Sequence, residues 1–280
     1  MYWFNGNKYT AIKIQFFHTK APAATITSII ENGSNLNFDY ILKDSIDESP
    51  LEYLTAIPSN TWRSVHVLLN DTGFELNFYV TNEYLSMTLD DFADFFTIQG
   101  DYDESDEPVF DTIKYLDFVL FLSSNLIIKK LKIVEDSDKE YEPEFSSMKN
   151  PIQNTISAVI GNTYFLKSPY QYMICLLNNI IENNGQIKND YQYSDINDIA
   201  KYWAAQLVEN TENGISINFI LNNQEFEVTV YPQNLTLRSL GNLQKQTLDN
   251  KEYVDVAYYI KIFMNLCRDL GIRDLETYFD

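Results

Sequence analysis

The sequence predicts an α+β fold made of two tandem related modules, each with helices, a small antiparallel sheet and a long closing apolar helix. Three observations predict it. Several segments recur at a near-constant spacing, short segments alternate between apolar and polar residues, and each half contains one helical pattern that is apolar on most sides. An apolar content of 45% over 280 residues is typical of a globular protein that builds its core without disulfides or metal ions.

The recurrence covers several consecutive elements in the same order, which indicates an internal duplication. The matching segments are residues 29–44 with 180–195 at an offset of 151, 74–82 with 226–234 at 152, and 85–87 with 235–237 at 150. The predicted first module is residues 1–134 and the second is residues 163–280. An acidic and then Ser-, Asn- and Pro-containing stretch at residues 135–162 is predicted to connect them.

Each module is predicted to contain the same elements in order. A first helix begins near a proline, Pro22 or Pro169, and ends at an Asn-Gly turn. A second helix follows, then three strands whose alternation and short polar connections are typical of an antiparallel sheet with one buried face. The second helices are predicted at 49–57 and 195–207, and the strands at 64–70, 74–80 and 85–89 and at 215–221, 226–232 and 235–240.

A long helix is predicted to close each module, at residues 111–131 and 252–270. Apolar residues run most of the way round both helical patterns. A helix that is apolar on most sides is covered on most sides. We therefore expect each closing helix to pack on its own sheet, with further cover on its outer side from the other module or from its own N-terminal helices.

The sequence lacks the signatures of most common sites. It contains no phosphate-binding loop, dinucleotide-binding turn, zincin helix or nucleophile elbow. Cys175 and Cys267 lie in apolar helical patterns and are predicted to be buried free thiols, and His66 is predicted to face solvent from a strand. An EF-hand register that starts at Asp101 fails, because Asp106 replaces the required Gly and Thr112 the required Glu. We expect no cofactor, no metal and no enzymatic activity.

Charge provides the strongest signal. The formal net charge is −20, and the fifty residues between Arg63 and Lys114 contain twelve Asp and Glu with no Lys or Arg. Residues 89–108 carry eight acids, whereas the corresponding residues 241–252 carry two acids and two lysines. The fold of the module therefore does not require this charge. The acidic tract, residues 90–111, is predicted to bind a partner through Asp90, Asp91, Asp94, Asp101, Tyr102, Asp103, Glu104, Asp106, Glu107 and Asp111.

Concentrated negative charge excludes nucleic acid and anionic membranes as partners and favours a basic protein. Without a secretory signal or a membrane-spanning run, we expect the protein in the cytoplasm. These features favour a non-catalytic binding protein, and the leading hypothesis is a bacterial immunity protein that inhibits a cognate toxin, for example a nuclease. A phage-type DNA mimic is the second hypothesis, and an enzyme of unrecognised type is the third.

Overall fold

A computed structural model describes most of the second half of the chain and the strands of the first half. The described residues are 10–17, 38–42, 61–69, 72–80, 84–91, 97–102, 108–124, 126–135, 152–161, 167–188 and 195–279. For most strands before residue 111 the description covers the backbone, and for most residues beyond it the side chains as well. Within these ranges the chain forms four helices and sixteen strands, which confirms the α+β class.

The chain divides into two compact units. Unit 1 contains residues 1–147 together with 246–253, and unit 2 contains residues 148–245 and 254–280. Unit 1 therefore includes a short segment from late in the sequence. In that segment the ring of Tyr253 lies 4.2 Å from the ring of Phe17, measured between centroids.

Unit 1 is built on an antiparallel sheet. Its described elements are β1 (Thr10–Phe17), β2 (Phe38–Leu42), β3 (Thr61–Leu69), β4 (Thr72–Val80), β5 (Tyr84–Asp91), β6 (Thr97–Tyr102), β7 (Pro108–Phe110), α1 (Thr112–Leu122) and β8 (Ile127–Glu135). The strand order is β8-β1-β5-β4-β3-β2. Strands β6 and β7 form a separate two-stranded ladder just before α1. The helices predicted near Pro22 and at residues 49–57 lie outside the described residues.

Unit 2 has an antiparallel sheet and three described helices. Its sheet and helices comprise β9 (Thr155–Ile160), α2 (Pro169–Glu182), β10 (Gln186–Lys188), α3 (Ile196–Glu209), β11 (Ile215–Leu221), β12 (Gln224–Val230), β13 (Asn234–Ser239), α4 (Val256–Leu266) and β16 (Ile272–Tyr278). Between β13 and α4 the chain also forms strands β14 (Lys245–Leu248) and β15 (Lys251–Val254). The strand order is β16-β9-β13-β12-β11-β10. Strands β14 and β15 form a two-stranded hairpin, most of which belongs to unit 1.

The six sheet strands of each unit have the same order when β1 to β5 are matched with β9 to β13 and β8 with β16. In each half a two-stranded ladder and an eleven-residue helix precede the last strand. The pair Ala11–Val134 of unit 1 corresponds to Thr155–Tyr278 of unit 2, both at an offset of 144. The predicted offset of 152 holds for β4 and β12, since Val67 faces Phe74 as Phe219 faces Phe226.

The strand pairing alters the other two predicted offsets. Asp90 faces Glu75 and Arg238 faces Glu227, so β5 and β13 correspond at 148 rather than 150. Asp39 faces Leu68 and Gln186 faces Ile220, which gives 147 rather than 151 for β2 and β10. The change of two residues preserves the face of each side chain on β5 because strand side chains alternate with a period of two.

Local sequence explains the hairpins and helix ends of unit 2. The turn between β11 and β12 consists of Asn222 and Asn223, both at positive φ, as a two-residue hairpin turn requires. The prediction that residues 222–225 connect these two strands was wrong, because β12 already begins at Gln224. Ser168 and Asp195 cap α2 and α3 through side-chain oxygens that accept backbone N–H groups.

One face of the unit 2 sheet forms the core. Alternate residues of β11, β12 and β13 are buried, and the helices cover them. The ring of Tyr259 on α4 meets Phe226 edge to face at 6.2 Å, and Phe226 stacks with Phe219 at 5.4 Å. Full burial of one such ring contributes about 1.5–3 kcal/mol. We call the other side of this sheet its polar face, where Ser216 and Arg238 are exposed.

The predicted long closing helices were wrong. Helix α1 ends at Leu122, and residues 127–135 form strand β8 beside β1. Helix α4 likewise begins only at Val256, after strand β15. Most apolar side chains of both shorter helices are nevertheless buried, as expected for helices that are covered on most sides. Strand β9 lies within the predicted connector, so residues 155–160 are part of a sheet.

Candidate functional site

The structure places part of the predicted acidic site on three elements of unit 1. Asp90 and Asp91 end strand β5, and Asp101 and Tyr102 end strand β6. In the β6–β7 ladder Thr97 faces Phe110 and Tyr102 faces Pro108. Asp111 lies directly before α1. The other predicted residues, Asp94, Asp103, Glu104, Asp106 and Glu107, lie outside the described residues.

Asp90 and Asp91 are successive residues at the end of β5. The backbone pairing sets Asp90 opposite Glu75 and Asp91 opposite Phe74 on β4, and Asp90 opposite Ala11 on β1.

Asp90 lies in a row with two titratable residues that the sequence analysis did not connect to it. The pairing places Glu75 of β4 directly opposite Asp90, and His66 of β3 directly opposite Glu75. Directly opposite residues in an antiparallel pair have Cβ atoms about 4.5–5.5 Å apart. Three adjacent strands thus carry a histidine and two acidic residues in one row of the backbone register. The alternation in β3 and β4 is visible in the sequence. Which residue of β3 lies opposite which residue of β4 depends on the strand register, which the sequence does not give.

The corresponding row of unit 2 carries a different charge pattern. Asn218 faces Glu227, and Glu227 faces Arg238. This row lies on the polar face, where Arg238 is exposed and Glu227 half-buried. Like charges directly opposite on paired strands destabilise a sheet, and opposite charges stabilise it by about 0.2–1 kcal/mol. Unit 1 therefore combines two acids at the position where unit 2 combines an acid with a base.

Asp111 has a structural role. Its carboxylate accepts the backbone N–H of Lys114 at 3.0 Å and caps helix α1. Asp255 caps α4 in the same way, through the N–H of Tyr258 at 3.1 Å. The two caps lie at the offset of 144 that also relates the neighbouring strands. The Asp111 carboxylate is thus a feature of both halves, unlike the acids of residues 89–108.

The charge difference extends to the units as a whole. Unit 1 contains 27 Asp and Glu against 11 Lys and Arg, a formal charge of −16. Unit 2 contains 13 against 9, a formal charge of −4. Ion pairs described in unit 2 include Lys188–Glu225 and Arg268–Glu182, both at 2.6 Å. The two units therefore have the same strand order and very different formal charges.

One small cavity lies in unit 2, and no His, Cys, Asp, Glu or Lys lines it. It encloses about 160 Å³ and is lined by Pro169, Tyr172, Leu207, Val208, Thr211 and Pro232. Neither cysteine lines it. Burial raises the pKa of the Cys175 thiol to about 11 and that of Cys267 further, so both thiols stay protonated at neutral pH. Cys267 is buried as predicted, and Cys175 is half-buried.

No group of three His, Cys, Asp or Glu side chains in the described part of the chain could hold a metal ion. None of the described helices is long and apolar enough to cross a membrane. Comparison of the chain with protein-family models, curated proteins and solved structures finds no match.

Proposed function

We propose that the protein is a non-catalytic acidic binding protein that neutralises a basic protein partner. Its proposed biological form is a bacterial immunity protein that acts in the cytoplasm and inhibits a cognate toxin, for example a nuclease. The observation that carries the proposal is the contrast between formal charges of −16 and −4 on two units with the same strand order. Since unit 2 has this strand order with little net charge, the excess in unit 1 is explained by a partner rather than by folding.

The proposal includes an internal duplication, with two tandem modules that share one ancestry. The matched strand orders, the two eleven-residue helices and the Asp111 and Asp255 caps support it. A duplication explains how one copy could change its surface while the other kept the fold. In this view the acids of residues 89–108 are a later addition to the first copy.

The physical advantage of the charge is fast and selective association. Concentrated negative charge destabilises the compact state by self-repulsion, but it raises the rate of association with a cationic surface by roughly 10 to 10³. An inhibitor benefits from this rate because it must bind its target before the target acts. Close charge pairs then contribute coupling energies of about 1.5–7 kcal/mol in well-matched complexes.

Co-expression in bacteria tests this function. The protein encoded by the adjacent gene is produced with and without the chain, and growth is measured. We expect the neighbour to be toxic alone and harmless with the chain. We expect a variant with Asp101, Asp103, Glu104, Asp106 and Glu107 changed to Asn or Gln to fold normally and to protect less. A neighbour without toxicity would contradict the immunity proposal, and competition with duplex DNA for unrelated DNA-binding proteins would assign a DNA mimic instead.

A further inference from the structure

We propose that residues 246–253 form a strap that couples the stability of unit 2 to that of unit 1. The residues on either side of this segment, Lys245 and Val254, belong to unit 2, whereas the segment itself belongs to unit 1. Its backbone is the hairpin of β14 and β15, whose turn residues Asp249 and Asn250 both have positive φ, as a tight hairpin turn requires. The chain therefore leaves unit 2, passes through unit 1 and returns to unit 2 at Val254.

The chain on both sides of the strap is fixed to the core of unit 2. The N–H of Asp255 donates to the Gln244 carbonyl at 2.9 Å and closes the base of the hairpin. The N–H of Gln244 donates to the hydroxyl of Tyr259 at 2.8 Å. Tyr259 is buried, and its hydroxyl also accepts from Nε2 of Gln224 at 2.8 Å. One buried hydroxyl thus joins α4, the start of β12 and the base of the hairpin.

Tyr253 anchors the strap within unit 1. Its ring centroid lies 4.2 Å from that of Phe17, with an angle of 37° between the two ring planes. The Lys129 ammonium lies 5.5 Å from the centroid of the same Phe17 ring. Aromatic pairs and cations near an aromatic face are both attractive beyond the burial of apolar area. Phe17 therefore joins the strap to strands β1 and β8.

The corresponding positions of the two units show that this ring contact belongs to one hairpin. The offset of 144 relates Phe17 to Gly161 and Tyr253 to Val109, neither of which has an aromatic ring. A Cβ at Gly161 would lie 2.5 Å from Cγ of Arg273, so the arginine stem takes the space that a larger side chain would need. The sequence thus provides the aromatic anchor for the β14–β15 hairpin and not for the β6–β7 hairpin.

A segment held in both units links their stabilities. Unfolding of unit 2 releases the base of the hairpin and with it the contact between Tyr253 and Phe17. Unfolding of unit 1 removes the anchor of the strap and frees the chain that leads into α4. Coupling of this kind is reciprocal, so a ligand that stabilises one unit stabilises the other through the same coupling free energy.

Amide hydrogen exchange of the full chain, followed by mass spectrometry, tests the strap. Gln224→Met removes one donor to the Tyr259 hydroxyl in unit 2, and exchange is measured in Thr10–Phe17 of unit 1. We expect this variant to speed exchange there about fivefold. When Gln224→Met is combined with Tyr253→Ala, we expect it to add less than about twofold, because the strap no longer transmits the change. Combined with Tyr253→Phe, which keeps the ring, it should retain the full effect.

Lys251→Ala is the matched control, since Lys251 is an exposed residue of the same hairpin. We expect it to leave exchange in β1 and α4 within about twofold of the natural chain. Tyr253→Leu, which keeps apolar bulk without the ring, takes the place of Tyr253→Ala if the alanine variant does not fold by circular dichroism. An equal effect of Gln224→Met on unit 1 with and without the Tyr253 ring, or no effect in either background, would overturn the strap.

Discussion

Asp111 belongs to the acidic tract and also caps helix α1. Replacing it, with Asp255 of unit 2 as the matched cap, tests whether Asp111 stabilises the fold or binds a partner. In Asp111→Ala, the N–H of Lys114 loses the acceptor that now lies at 3.0 Å. Loss of such a cap costs about 1 kcal/mol, within a range of about 0.5–2 kcal/mol. A serine at this position still caps the helix, so Asp111→Ser should cost only the charge interaction with the helix dipole, about 0.3–1 kcal/mol. For a unit of this size 1 kcal/mol corresponds to about 2–4 °C in Tm.

The assay is urea unfolding followed by circular dichroism, with Asp255→Ala and Asp255→Ser as the matched pair in unit 2. Asp255 caps α4 at 3.1 Å, so we expect the same order of stabilities at both positions. If serine destabilised unit 1 as much as alanine does, the hydrogen bond would not be the source of the stability and the structural role of Asp111 would be refuted. Because Asp111→Ser keeps the cap and removes the charge, any loss of partner binding in it reports on charge alone.

Three further predictions concern the core and turns of unit 2. Asn179→Ala should lower the free energy of unfolding in urea by about 1–3 kcal/mol. The side-chain amide of Asn179 is buried, donates to the Leu266 carbonyl at 2.9 Å and accepts from Arg268 at 3.1 Å. The control Asn210→Ala, on the surface, should change stability by less than about 0.5 kcal/mol. The free energy of unfolding should fall as the pH rises from about 8.5 towards 11. Burial raises the pKa of Cys175 to about 11 in the folded chain, whereas the thiol of the unfolded chain ionises near about 8.5. Stability that stayed level or rose over this interval would argue against burial of the thiol. Gly214→Ala should destabilise the protein by about 1–2 kcal/mol in a thermal scan. The φ angle of Gly214 is +66°, and a Cβ there would lie 2.8 Å from both the Tyr231 ring and the Val230 carbonyl. The control Gly241→Ala should be neutral, because a Cβ there would have no atom within 4 Å.

The hairpin strands could be predicted from the sequence because each alternates between a buried and a solvent-facing side. Residues 215–221 follow this rule without exception, since Ile215, Ile217, Phe219 and Leu221 are all buried. The repeat of this pattern in both halves strengthened the prediction. Two of the three predicted offsets shifted by two or four residues, which sequence similarity over short segments cannot resolve.

The closing elements could not be predicted because short apolar runs fit a helix and a strand equally well. The predicted helix extended to residue 131, yet residues 127–135 form a strand in which Leu131 and Ile133 are buried and Lys132 between them is half-buried. Strands β1, β9 and β16 pair with partners that are distant in sequence, so local pattern gives no indication of their neighbours.

The excess of acid in the first half is visible in the sequence, but its arrangement is not. Nothing local indicates that Asp90 lies opposite Glu75, or that His66 lies opposite Glu75 on the next strand. These relations depend on strand pairing. The structural use of Asp111 was also missed, although an aspartate three residues before a helical N–H is a recognisable cap.

The most direct test of the account is the rate at which the chain associates with the isolated toxin domain encoded beside it, measured by stopped-flow fluorescence at low salt. Three proteins are compared: the natural chain, the variant with five neutralised acids at residues 101–107, and a control with Asp198, Glu209, Glu212, Glu225 and Asp269 of unit 2 changed to Asn or Gln. We predict that the first variant associates about tenfold or more slowly and that the unit 2 control stays within about twofold of the natural chain. Equal rates for the two variants would contradict the claim that unit 1 carries its charge for a cationic partner.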